Sequence, residues 1–186
     1  RRRGAAGAPG GRPGGSGPGA DRVSSGPAGT PEEPDPGRAA AATEWAWIGL
    51  GSNLGHRGRA LSCLRSELEA GGAAVEASST EILTRPVGIL AQDDFHNQVV
   101  LARSPEPWPP PRWLELCRLA EMGCGRRPTY RWGPRRADAD VILLGRHGEV
   151  SSAADPIVPH PELAHRPFWH RLIIEIEPGV VTALGG

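Results

Sequence analysis

Two carboxylates, Asp138 and Asp140, stand two residues apart at the start of the apolar run Val141-Ile142-Leu143-Leu144, just after a loop stiffened by Gly133-Pro134. Along a strand alternate side chains share a face, so both carboxylates point the same way, about 6–7 Å apart along the chain. Arg126, Arg127, Arg131, Arg135 and Arg136 all fall within one stretch of eleven residues shortly ahead of them. The combination suits a polyphosphate carried by Mg²⁺. The metal takes one or two protein carboxylates and completes its shell with water and phosphate oxygens, while guanidinium forks take the remaining phosphate charge. Alone, Asp-x-Asp also describes an ordinary exposed strand face, and the arginines a solvated loop neutralised by nearby acids. A nucleic-acid patch would use the same arginines, but two aspartates repel a phosphate backbone unless a metal intervenes.

Other segments could supply an acceptor. In Phe95-His96-Asn97 the ring and the amide share a strand face, which fits a flat heterocycle stacked on one side and hydrogen-bonded at its edge. The bland alternative is one core Phe and one rim Asn. The only other phenylalanine, Phe168, follows His165-Arg166-Pro167, and two ring faces could sandwich a bicyclic substrate. Gly49-Leu50-Gly51-Ser52-Asn53-Leu54-Gly55 is no dinucleotide fingerprint: leucine occupies position 54, where glycine is required, and no alternating βα pattern follows. It reads as a strand-to-helix turn with Ser52 or Asn53 available as a helix cap. A nucleotidyltransferase also joins Gly-Ser to Asp-x-Asp, but at short range; here Asp138 lies 87 positions after Gly51.

Composition narrows the chemistry. The 186 residues carry zero formal net charge, which argues against a general nucleic-acid or membrane-surface binder. All 21 basic residues are arginine. Without lysine there is no Walker-type lysine, no protein-kinase strand lysine and no Schiff base. Cys63, Cys117 and Cys124 are odd in number and lack metal-ligand spacing, so they are expected as reduced, buried small hydrophobes. No apolar run approaches the length needed to span a bilayer, and a cytoplasmic protein is expected.

These residues need a scaffold to position them. Residues 1–44 contain 18 Gly or Pro, and their apolar residues are nearly all alanine; they read as a disordered tail, or as a linker from a preceding domain. The chain opens on arginine rather than methionine, which suggests a fragment or a trimmed product. Order is expected from Trp45, giving a domain over 45–186. The pattern predicts strands over 45–50, 73–83, 95–102 and 138–144, and helices over 54–70 and 113–122. Leu54, Leu61, Leu64 and Leu68 form the apolar stripe of the first helix. The order βαββαβ makes an α+β, ferredoxin-like layout with a largely antiparallel sheet and both helices on one face. A C-terminal extension holds the rigid turn Pro159-His160-Pro161 and a closing helix over 168–176.

Five segments in this order resemble the 6-hydroxymethyl-7,8-dihydropterin pyrophosphokinase family of folate biosynthesis. They are Ile48 to Gly55; Thr84-Arg85-Pro86-Val87-Gly88 with Asp94 to Asn97; Glu121 with Gly125-Arg126; Arg131 to Arg135 with Asp138-Ala139-Asp140; and Val158 to Pro161 with Arg166-Pro167-Phe168. The resemblance covers residues 45–178. It implies a ferredoxin-like monomer that moves a diphosphate from ATP to the pterin hydroxymethyl group and releases AMP. It further implies that Asp138 and Asp140 ligate two Mg²⁺ and that Arg126 and Arg135 stabilise the transferring group. Glu121, Arg127, His160 and Arg166 would hold ATP. Thr84 and Val87 (by backbone), Asn97, Phe95 and Phe168 would form the pterin site, and Trp132 would belong to a mobile loop closing over both substrates. The implied partners are these small molecules, with no nucleic acid and no membrane. Four departures stand out: Ala139 replaces a larger aliphatic, Arg127-Pro128 breaks the usual Gly-Arg-x-Arg, Arg85 replaces a proline or acid, and His170-Arg171-Leu172 lacks a proline. The alternative they raise is a binding module of the same fold with impaired turnover.

Overall fold

The first strand, β1 (Thr43–Ser52), starts two residues before Trp45, because Thr43 pairs with Trp108 and is fully buried there. In this computed structural model residues 41–86, 88, 91–130, 132–146 and 149–180 are described. The rest of the Gly/Pro tail therefore lies outside the described residues, as do Val87 and Arg131. After β1 come α1 (Arg57–Ala70), β2 (Ala74–Ser78), β3 (Ile82–Thr84), β4 (Phe95–Trp108), α2 (Pro110–Gly123) and β5 (Asp138–Arg146). Then follow β6 (Glu149–Ser151), β7 (Ala153–Ala154), β8 (Ile157–Val158), a 3₁₀ turn at Leu163–His165 and α3 (Pro167–Ile176). The main sheet runs β2-β4-β1-β5-β6, with β3 also on β4 and every pairing antiparallel. With α1 and α2 as crossovers, this is the α+β, ferredoxin-like order expected from the sequence.

The central strand β1 is buried on both faces, which fixes its register. Ala46, Ile48 and Leu50 pack under α1 and α2 with Leu61, Leu64, Leu68, Trp113, Leu116 and Ala120. Trp47 enters a second core on the opposite face, beneath α3, with Val99, Ile142, Leu143, Trp169, Leu172 and Ile173. The helices thus cover both faces of the sheet, and the site must lie at its edge or end.

Several local expectations change. Helix α1 begins at Arg57, after Gly55 at φ 66°, so Leu54 precedes it and is exposed, while Ala60 joins the buried stripe. The expected strand over 73–83 divides because the polar residues between β2 and β3 take their bonds elsewhere. Ser79 Oγ accepts the Val99 N–H, Ser79 O accepts from Gln98, and Thr80 donates twice to Glu175 of α3. Helix α2 takes Pro110 and Pro111 into its first turn, where their missing N–H groups cost nothing. The reduced-thiol expectation holds for buried Cys117 and fails for the other two. Cys63 of α1 and Cys124, at the end of α2, form a disulfide. They are 61 residues apart in sequence and meet only because α1 packs beside α2.

Candidate active site

One row across the sheet joins the pieces. Gly51 of β1 pairs with Asn97 of β4 on one side and with Asp138 of β5 on the other; one row along, Gly49 pairs with Val99 and Asp140. Residues in register across a sheet share a face, so the glycines lie between the amide and the carboxylates without side chains of their own. A Cβ at Gly51 would lie 3.3 Å from Asn97 Oδ1 and 3.6 Å from Asp138 Cβ, and one at Gly49 would lie 3.0 Å from Trp169 Nε1. A side chain at Gly51 would crowd Asn97 and Asp138 in the cleft, and one at Gly49 would collide with Trp169 and Ile142 of the core beneath α3. The sequence puts Gly49 in the strand over 45–50 and Gly51 in the turn after it; the signal for a shared bare face is their i, i+2 spacing, with both in β1.

Above this floor lies a cleft lined by Thr84, Arg85, Gln92, Phe95, Asn97, Trp132, Gly133, Arg135, Asp138, Arg166 and Phe168. Asn97 Nδ2 donates to Thr84 Oγ1 at 2.7 Å, which turns the carbonyl oxygen of the amide toward Gly51 and the cleft floor. A second cavity is lined by Leu114, Asp140, Val141, Pro156, Ile157, His160 and Pro161. Asp138 thus lines a cleft with aromatic and amide walls, and Asp140 lines one with mostly aliphatic walls.

The electrostatics differ between the two carboxylates. Asp138 accepts Arg126 Nη1 at 2.7 Å and Arg135 Nη1 at 2.8 and 2.7 Å. Burial opposes the charge on Arg135, but the Asp138 carboxylate beside it more than offsets this and raises its pKa. Asp140 pairs more loosely, with Arg166 at 3.9 Å. Burial first, and then the negative charge of Asp138, push its carboxyl up to about 7. Such a site asks for a further cation. Among the described residues no group of three or more His, Cys, Asp or Glu side chains is gathered to hold a metal alone. The donor set, two carboxylates open to water and phosphate, fits a hard divalent ion with a polyphosphate.

The remaining candidates are dispersed around this centre. Glu121 is 8% exposed and turned inward: its Oε1 accepts the Ala139 N–H at 2.8 Å and an Arg126 guanidinium N–H. It lines neither cavity. Its burial raises its pKa, against the opposing pull of those two donors. A β-bulge at Ile142 turns that residue's carbonyl to the His160 N–H, at 2.8 Å, and so places His160 beside Asp140. His160 Nδ1 accepts the Glu162 N–H, leaving Nε2 as the protonated nitrogen, and burial followed by Arg166 lowers its pKa. Arg166 lies over the Trp169 ring at 4.4 Å, with its Nε buried, 3.9 Å from Glu162 Oε2, and without a hydrogen-bond partner among the described residues. Arg127 is exposed and lines neither cavity. Gln92 carries no signal in the sequence, and neither Ser52 nor Asn53, the two residues available as a helix cap, caps α1. The N-cap of α1 is His56, and Asn53 bonds instead to Arg135, Gln92 and Asp93.

Residues 47–178 match the family described as 7,8-dihydro-6-hydroxymethylpterin-pyrophosphokinase. The chain is 33% identical over 139 residues to the 2-amino-4-hydroxy-6-hydroxymethyldihydropteridine pyrophosphokinase of Aquifex aeolicus, covering 73% of this chain and 81% of the relative. It is 36% identical over 133 residues to the protein of the same name from Bacillus subtilis, covering 70% and 77%. It is also 28% identical over 141 residues to the folate synthesis bifunctional protein of Chlamydia muridarum, covering 73% of this chain and 31% of that longer protein.

Proposed function

The chain belongs to the 7,8-dihydro-6-hydroxymethylpterin-pyrophosphokinase family, and we infer from that premise that it moves a diphosphate from ATP to the hydroxymethyl group of the dihydropterin, releasing AMP, in folate biosynthesis. The observation that carries the assignment to this site is that Asp138 and Asp140, two residues apart on β5, each line a cleft of different character.

The aromatic cleft takes the pterin. Phe95 and Phe168 offer ring faces, and Asn97 offers a carbonyl oxygen to a ring-edge amine because its amide nitrogen is engaged by Thr84. The backbone contact expected of Val87 falls outside the described residues. The aliphatic cavity takes the nucleotide base, with neutral His160 presenting an Nε2–H to an acceptor and Arg166 supplying charge toward the phosphates.

Asp138 and Asp140 would hold two Mg²⁺ with the ATP phosphates. Such ions would supply charge neutralisation and electrophilic polarisation for the phosphates. Arg126 and Arg135, gathered beside Asp138, would direct guanidinium donors to the transferring group, where they count most in the transition state. Glu121 keeps Arg126 at hand rather than touching ATP. Among the described residues Asp138 is the one carboxylate lining the pterin cleft, and it is already shared by two arginines, so it makes a poor base toward the hydroxyl. Turnover then rests on alignment and charge. Trp132, which lines the cleft from the arginine loop, closes over the pterin.

The test is direct. The purified protein with ATP, Mg²⁺ and 6-hydroxymethyl-7,8-dihydropterin should form AMP and the pterin diphosphate in equal amounts. Pterin binding without AMP would instead favour an impaired binding module. The match to a bifunctional protein supports a fused arrangement with a further folate enzyme as one form in which such a domain operates.

A further inference from the structure

Asn53 follows β1 and is 1% exposed, yet it lines neither cleft. Its backbone N–H donates to Arg135 O at 3.0 Å, and its Oδ1 accepts the Arg135 N–H at 2.7 Å. This reciprocal pair clips the arginine loop to the end of β1. The amide nitrogen works in the other direction, donating to Gln92 Oε1 at 2.9 Å and to Asp93 O at 3.1 Å. Gln92 then returns to the arginine loop, donating through Nε2 to Trp132 O at 3.0 Å. One buried side chain therefore ties together the two lips of the pterin cleft: the segment carrying Gln92, and the loop carrying Trp132, Gly133 and Arg135.

The backbone shows that the loop needs holding. Trp132 has φ 65°, a left-handed conformation that a bulky side chain adopts only when its surroundings impose it. Its indole also packs over Gly88, where an added Cβ would lie 3.3 Å from Trp132 Cγ. Three residues on, the Arg135 guanidinium holds both oxygens of Asp138. The place from which Arg135 acts is thus set by the backbone that Asn53 clips.

We propose that Asn53 is a positioning residue for transfer, fixing the backbone of Arg135 and coupling it, through Gln92 and Trp132, to the opposite lip of the pterin cleft. The role rests on the pyrophosphokinase reading, which gives Arg135 its task. Asn53 touches neither substrate cleft, so it should govern the rate of turnover rather than the occupancy of either substrate.

The experiment is a double-mutant cycle on AMP formation with Asn53→Ala, Arg135→Ala and the pair. Asn53→Ala should lower kcat about 10–100-fold, as expected when a reacting group is misplaced by about an ångström. The KM values for ATP and pterin should stay within about threefold. The double variant should be no slower than Arg135→Ala alone, because the two residues act as one unit. Losses that multiply, or a rise in KM at unchanged kcat, would overturn the role. Asn53→Asp guards against misfolding: it keeps the shape and the Oδ1 acceptor but loses the donors to Gln92 and Asp93. It should give a partial loss of kcat with the same non-additivity. Trypsin cleavage within 126–136, followed by mass spectrometry, reads the clip without turnover. It should be several-fold faster in both Asn53 variants and unchanged elsewhere in the folded chain. A wild type that forms no AMP would sink the pyrophosphokinase reading, whereas unaltered loop cleavage would sink the clip.

Discussion

The carboxylates and the arginines of the site are held by different means. Asp138 and Asp140 begin β5, whose backbone is laddered to β1 from Gly51 through Trp45. Arg126 and Arg135 lie on the connection from α2 to β5, which has no ladder of its own and is held by Asn53, Gln92, Glu121 and Asp138. A sheet fixes its side chains to within the play of one rotamer, which is what shared metal ligands require. A loop held by a few side-chain bonds can close on a substrate and release a product. The molecule places its negative charges where rigidity is cheap and its positive charges where movement is needed.

Removing the rigid half should have the largest effect. Asp138→Ala or Asp140→Ala should lower AMP formation by about 10³-fold or more, the loss of several kcal/mol of charge stabilisation. Pterin binding, followed by fluorescence, should survive, because the aromatic and amide walls stand on β4 and α3. If either variant keeps wild-type turnover, the division between carboxylate platform and arginine loop is wrong.

Changes in the loop half should come next. Arg135→Ala should reduce kcat about 10²-fold, in the range for loss of one donor to transition-state charge. The Asp138 carboxylate retains Arg126, so the fold should hold, with an unaltered circular dichroism spectrum. Arg126→Ala should cost less stability than its two partners suggest, because Glu121 keeps the Ala139 N–H.

The two carboxylates can be separated by pH. The Asp140 carboxyl titrates at about 7 in the folded chain, against 3.8 for the ordinary group. Between those values the folded chain holds a proton that the unfolded chain has lost. The contribution of Asp140 to stability therefore falls as pH rises through this window, and its cost is complete above about 7. Metal binding has the opposite slope, since it needs the ionised form. Mg²⁺ affinity measured by calorimetry on the protein without nucleotide should fall up to about tenfold per pH unit below 7 and level off above it. Asp140→Asn should flatten that dependence. A profile that stays steep in Asp140→Asn would move the titration to another group.

How much of this was legible in the sequence follows from the range of each interaction. The order βαββαβ and the shared face of Asp138 and Asp140 are local consequences of periodicity, and both carried through to the fold. Leu54 misled because its spacing matched a helix that Gly55 delays to Arg57. The Cys63–Cys124 bridge, the clip at Asn53 and the inward turn of Glu121 depend on elements brought together across 61, 82 and 18 residues. No spacing rule reaches that far. Gly49 and Gly51 fall between these cases: the pattern was visible, but its meaning as a bare floor needed the strands on either side.

Arg127 should give the smallest effect and the finest test of the contrast. It follows Arg126 directly, yet it is exposed and lines neither cleft, whereas Arg126 is joined to Glu121 and Asp138. An exposed guanidinium with solvent on all sides contributes about 0–1 kcal/mol to an ion pair, a factor of about five at most. Arg127→Ala should therefore raise the KM for ATP by no more than about fivefold and leave kcat unchanged. The modest rise should shrink as salt is added, because screening acts first on exposed charge. A loss as large as that of Arg126→Ala, insensitive to salt, would mean that the loop closes far enough to bury Arg127 against the phosphates. The loop half of the site would then move through a larger distance than the Asn53 clip allows.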